Sequence, residues 1–110
     1  MSPTGDTGGK PDALRYALSY KRSAKKAVDK IPQRKGRERV EDAIENLADE
    51  PRPPHSKQLK GKHSVYRRID VGGVGGEYRV IYQIRDDDLV VVVVIVAQRE
   101  GVYELLKRLG

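Results

Sequence analysis

The stretch Leu89–Ala97 (LVVVVVIVA) is apolar at every position. A strand with one face in water alternates apolar and polar residues, so a strand apolar on both sides must be covered on both sides. Branched side chains dominate the run, which favours extended backbone over helix. Its length is about half of the ~20 residues that a membrane-spanning helix needs. The run therefore predicts the central strand of a sheet, and the rest of the chain must supply neighbouring strands and a covering layer.

Tyr78–Arg85 reads as one neighbour. Tyr78, Val80, Tyr82 and Ile84 fall on one face, and Arg79, Ile81, Gln83 and Arg85 on the other. Asp86-Asp87-Asp88 joins it to the apolar run as a tight acidic turn. Three adjacent carboxylates do not converge easily on one metal ion. Val65–Val71 reads as a further strand, followed by the flexible turn Gly72–Gly76. Within it Val65, Ile69 and Val71 share a parity that sends Arg67 inward and Arg68 outward.

Upstream, Leu14, Tyr16, Leu18 and Tyr20 alternate and predict a short first strand. Ser23 is a candidate N-cap for a helix carrying Ala24, Ala27, Val28 and Ile31 at helical spacing. Pro32 ends that helix or opens the next, which runs to about Asp49 with Val40, Ile44, Leu47 and Ala48 as its apolar stripe. Pro51-Arg52-Pro53-Pro54 is a rigid connector. Val102, Leu105, Leu106 and Leu109 fit a short closing helix. Residues 1–12 have almost nothing to bury and read as a disordered tail, leaving 13–110 as one domain. The predicted fold is α+β: a small antiparallel sheet packed on a helical hairpin, in the order βααβββ with a short C-terminal helix. The second face of the sheet is left open, and Arg79 points to it.

Charge narrows the partners. The 22 basic residues against 16 acidic ones leave a net +6, which favours a polyanion. The absence of cysteine excludes disulfides, thiolate nucleophiles and thiolate metal sites. The two histidines, His55 and His63, have no acidic cluster at ligand spacing, so no metal or other cofactor is predicted. Both read as loop histidines, with His63 the nearer to the chemistry. Between Lys21 and Arg39 the basic residues are opposed only by Asp29 and Glu38, which suggests a basic docking face on the first helix. Arginine and tyrosine recur together at the ends of the strands, in Tyr66-Arg67, Tyr78-Arg79 and Arg99…Tyr103. A guanidinium fork suits phosphate and a tyrosine ring offers a face to a base.

Ala48-Asp49-Glu50-Pro51-Arg52-Pro53, Lys57-Gln58-Leu59-Lys60-Gly61, Tyr66-Arg67, Tyr78-Arg79-Val80-Ile81-Tyr82 and Gln98-Arg99-Glu100 with Val102-Tyr103 follow one another in order. Together they resemble the RelE/ParE toxin superfamily of type II toxin–antitoxin systems, over roughly Tyr16–Leu109. The resemblance implies a cytoplasmic toxin with no membrane association. RelE-like members cut mRNA in the ribosomal A site; ParE-like members share the fold and poison DNA gyrase. Both are neutralised by a cognate antitoxin, and the toxin reaches operator DNA only through that complex.

Carried over by position, the resemblance assigns Arg79 to the scissile phosphate, Arg99 to the transition state or leaving group, and Tyr103 to the substrate base. It puts Arg67 at a strand position that is lysine or arginine in RelE-like members, with Arg68 as its substitute by parity. Lys57, Lys60 and Lys62 become substrate-binding residues and candidates for the general base, a role arginine fills poorly. Gln98 stands where some members carry an acid–base histidine. The implied reaction is metal-free attack of the RNA 2′-hydroxyl on the adjacent phosphate, leaving a 2′,3′-cyclic phosphate and a 5′-hydroxyl.

Overall fold

The computed structural model describes residues 15–73 and 76–109. Its elements are β1 (Ala17–Tyr20), α1 (Arg22–Asp29), α2 (Arg34–Asp49), β2 (Lys57–Gln58), β3 (Tyr66–Val71), β4 (Tyr78–Arg85), β5 (Val90–Gln98) and α3 (Val102–Lys107). Single 3-10 turns occupy Gly61–His63 and Arg99–Gly101. The expected tail lies outside the described residues, as do Leu14, Val74 and Gly75.

The α+β class is as predicted. The sheet has five strands in the order β1-β5-β4-β3-β2, and it is mixed rather than purely antiparallel. β1 runs parallel to β5, with Leu18 beside Val91 and Tyr20 beside Val93. The short edge strand β2, which the sequence pattern did not reveal, pairs with β3 through Lys57 opposite Arg68 and Gln58 opposite Arg67. Two polar residues carry no periodicity by which such a strand could be read.

β5 is an interior strand, between β1 and the central β4, and is covered on both faces. On one face α1 and α2 bury Ala24, Val28, Val40, Ile44 and Leu47 against Ile69, Val80, Tyr82, Val91, Val93 and Val96. On the other, α3 sets Val102 and Leu106 against Ile81 and Ile95. Burying each aliphatic side chain of this size contributes about 1.5–3 kcal/mol. A register shift at Ile81/Tyr82, where Ile81 faces Ile95 but Tyr82 faces Val93, leaves Val94 as an extra residue in β5. This bulge changes which parity of β5 faces the helices, so Val91 and Val93 point to α1 and α2 before it and Val96 does so after it.

The helix boundaries have local causes. Ser23 is not the N-cap of α1. The cap is Lys21, still in extended conformation (φ −67°, ψ 147°), because its N–H donates to the Val93 carbonyl at 2.9 Å and holds it to the sheet. The helix starts as soon as that bond is made. α2 ends before Pro51, with Glu50 outside the helical region at φ −139°, ψ 87°, since the residue before a proline is pushed out of the α conformation. Tyr82 donates its hydroxyl to the Pro51 carbonyl at 2.7 Å, which ties the proline connector to the underside of β4.

Candidate functional site

Strand parity assembles the site on the α3 side of the sheet. In the β3–β4 ladder Asp70 lies opposite Arg79, and Arg68 lies opposite Ile81. Directly opposed residues project to the same face, so Arg68, Asp70 and Arg79 share the face on which α3 packs. Lys57, opposite Arg68, extends the row onto β2. The 3-10 turn at Arg99–Gly101 then lets α3 return over the sheet, and Tyr103 closes the row.

Arg79 is the centre of this arrangement. Its Nε donates to Asp70 Oδ1 at 2.9 Å and its Nη1 to the Tyr103 hydroxyl at 3.1 Å. The guanidinium carbon lies 6.0 Å from the centre of the Tyr103 ring, within cation–π range. Arg68 Nη1 donates to the other oxygen of Asp70 at 2.7 Å. One carboxylate therefore bridges two guanidinium groups. Arg79 is 8% exposed and Tyr103 60% exposed, so the cation is sunk and the ring stands proud.

The charges follow from that geometry. Burial alone raises the Asp70 carboxyl; the hydrogen bonds and charges of Arg68 and Arg79 outweigh it and hold the group below the usual carboxylate range. Burial works against the Arg79 cation, but the Tyr103 hydroxyl and Asp70 more than offset it and push Arg79 higher still.

The sequence-predicted residues divide. Arg79 and Tyr103 come together, and Arg68 joins them through Asp70. Arg67 does not. It lies opposite Tyr82 on the helix-facing side, where its Nη2 donates to the Ser56 hydroxyl at 2.8 Å and Ser56 in turn donates to the Pro53 carbonyl at 2.8 Å. The structure therefore does not bring Arg67 together with Arg79 and Tyr103: its side chain braces the proline connector. Arg99 follows the last residue of β5, paired loosely with Glu77 at 3.6 Å, both side chains well exposed. Lys60 and Lys62 are exposed on the turn between β2 and β3. His63 ties that turn to α3, its Nε2 lying 3.1 Å from the Leu106 carbonyl, while His55 is exposed in the connector loop.

The second face is not open as expected, since α3 covers part of it. The basic stretch Lys21–Arg39 lies in the helical layer, on the side of the sheet opposite Arg79. Its two acids are taken by helix-spaced pairs, Lys25–Asp29 at 3.4 Å and Arg34–Glu38 at 3.1 Å. Asp70 and Glu77, the carboxylates that meet the site arginines, were not picked out from sequence. Asp70 was within reach of it: it shares the parity of Arg68 and sits across a hairpin from Arg79. Among the described residues no group of three or more His, Asp or Glu could hold a metal ion, and no helix is long and apolar enough to cross a membrane.

A two-helix layer on a mixed sheet, with an arginine–tyrosine pair under a short C-terminal helix, is the build of a small type II toxin. The model of the family described as the ParE toxin of type II toxin–antitoxin system, parDE, matches residues 18–103, and the chain belongs to that family, within the RelE/ParE toxin superfamily. The isolated E. coli RelE toxin is similar at 29% identity and TM-score 0.61, with 86% of this chain and 99% of that one covered. The RelBE2 toxin–antitoxin complex of Mycobacterium tuberculosis is similar at 27% identity and TM-score 0.63, with 77% and 92% covered. The archaeal RelE–RelB complex of Pyrococcus horikoshii OT3 shares the fold at 23% identity and TM-score 0.60, with 77% and 96% covered. Among curated proteins none matches.

Proposed function

We propose that this toxin is a metal-independent endoribonuclease acting on mRNA at the ribosome, held inactive by a cognate antitoxin. The observation that carries the reading is the Arg79–Tyr103 pair: a buried guanidinium for phosphate, bonded at 3.1 Å to an exposed ring suited to stacking on a base. Arg68 shares Asp70 with Arg79, Lys57 lies opposite Arg68, and Lys60 and Lys62 are exposed on the turn after β2; in this reading they add cations for the flanking backbone.

In this reading the RNA 2′-oxygen attacks the adjacent phosphorus and the bond to the 5′-oxygen breaks. Arg79 and Arg68 offset charge on the non-bridging oxygens, and Arg99 stands at the leaving side. The proton moves from the 2′-oxygen to the 5′-oxygen, with Lys57, Lys60 and Lys62 as the titratable groups assigned to carry it. The antitoxin is inferred from relatives solved with theirs, the E. coli RelBE and Pyrococcus horikoshii RelE–RelB complexes.

Primer extension on an mRNA translated in vitro tests this. Wild-type protein is expected to create new ends within A-site codons, and an Arg79→Ala, Arg99→Ala double variant none. Ends on naked RNA would keep the nuclease and remove the ribosome. A second reading, inhibition of DNA gyrase without cleavage, is favoured by the carboxylate partners of both arginines, Asp70 on Arg79 and Glu77 on Arg99. Loss of gyrase supercoiling with pure protein, in the absence of any RNA ends, would establish that one instead.

A further inference from the structure

Asp70 stands where an anionic ligand of the site would stand. Its two oxygens are held by two different guanidiniums, Arg68 at 2.7 Å and Arg79 at 2.9 Å. Two non-bridging oxygens of a backbone phosphate would use the same donors in the same way. Tyr103 lies on one side of this clamp, and Lys57 stands across the ladder from Arg68 on the other.

A buried arginine needs a counter-charge whatever its role, so pairing with Arg79 alone would be structural. Three features go further. The carboxylate is shared with a second arginine. It sits in the row between a ring and a lysine. Its side chain is 37% exposed against 10% for that of Arg79, so Asp70 is the partner with room to leave.

We propose that Asp70 is a resident stand-in for phosphate, and that a polynucleotide backbone enters the Arg68–Arg79 clamp by displacing it. Asp70 then sets how tightly the toxin grips a polyanion, and it discriminates against isolated phosphates too weakly held to evict it. This rests on the nucleic-acid reading of the site given above. It makes Asp70 a specificity-determining residue that takes no part in bond breaking.

The test is binding of a single-stranded 2′-deoxy oligonucleotide, which has no 2′-hydroxyl to attack, to the full chain by fluorescence anisotropy across a salt series. Asp70→Asn is expected to bind about tenfold more tightly. Its slope of log K against log salt should steepen by up to about 0.7, because the same phosphate then meets one more uncompensated positive charge. Unchanged or weaker affinity in a folded variant would overturn the proposal. Should that variant fail to fold, the wild type decides: the Arg79 Nε–H resonance must shift as the oligonucleotide saturates, and a resonance that stays put during binding overturns it equally. Neither readout involves cleavage. Tighter binding by Asp70→Asn with no RNA cut by the wild type sinks the ribonuclease reading alone, whereas RNA cleavage with unchanged oligonucleotide affinity sinks the displacement alone.

Discussion

Arg67 and Arg68 are adjacent in the chain and bonded on opposite faces of the sheet. Arg67 reaches Ser56 at 2.8 Å on the helix side, and Arg68 reaches Asp70 at 2.7 Å on the side of α3. The two substitutions should therefore separate. Arg67→Ala is expected to lower unfolding stability by about 1–3 kcal/mol, as loss of a charged donor does, with oligonucleotide affinity unchanged. Arg68→Ala should weaken that affinity and leave the melting temperature within a few degrees. Thermal melts and anisotropy on both variants check this, and matching phenotypes would contradict the assignment of faces.

Tyr103 is expected to act mainly through its ring. Tyr103→Phe keeps the face for stacking and loses only the acceptor for Arg79, whereas Tyr103→Ala removes both. If the ring stacks on a base, the alanine variant should lose about 1–3 kcal/mol of binding to single-stranded RNA and the phenylalanine variant much less. Titration of labelled RNA with each variant measures the difference.

Tyr82 is fully buried and its hydroxyl donates to the Pro51 carbonyl, with Ser56 and Arg67 beside it as further hydrogen-bond partners. Tyr82→Phe keeps the packing and strands that carbonyl. The expected loss is about 1 kcal/mol, seen as a fall in Tm of about 4–8 °C. A fall several times larger would mean that the connector depends on more than this bond.

Asp86 links three distant segments. It accepts from Arg52 at 2.8 Å and from the Tyr16 hydroxyl at 2.7 Å, and those two bonds hold its carboxyl down to about 2. A folded value below the unfolded one of about 3.9 means stability fully present above roughly pH 4–5 and lost as pH falls towards 2. The same contact raises Tyr16, so its contribution is fully present below about pH 10 and fades as pH rises beyond that. Unfolding monitored against pH should show both limbs, and Asp86→Asn should flatten the acid one. An acid limb identical to that of the wild type would place its origin elsewhere.

Much of this molecule can be read in its sequence because the sheet obeys simple periodicities. The alternation of Tyr78–Arg85 matches β4 residue for residue, and the unbroken run Leu89–Ala97 marks the doubly covered β5, one residue out of step because Leu89 takes the turn with φ 54°. Parity in β3 separated Arg68 from Arg67. What escaped has no local signature. The parallel pairing of β1 with β5 joins segments far apart in the chain, and β2 is two polar residues made into a strand by a partner. The carboxylate of Asp70 acquires its role only when β3 and β4 fold together and α3 brings Tyr103 beside them.

The extra residue in β5 has a consequence for how this gene can vary. Val94 opposes no single residue of β4, and the pairing on either side of it fixes the orientations: Val93 and Val96 towards the helices, Ile95 and Ala97 towards α3. Substituting Val94 by another aliphatic residue changes a few contacts. Deleting its codon would close the bulge into a regular ladder, with Ile95 following Val93 directly and still opposite Ile81, and with Val96, Gln98 and the helix that bears Tyr103 left on their present sides. At this position the strand can lose a residue and keep every orientation that builds the site, so lineages descended from such a toxin should show gaps here more readily than within β4, where every residue is paired with β5.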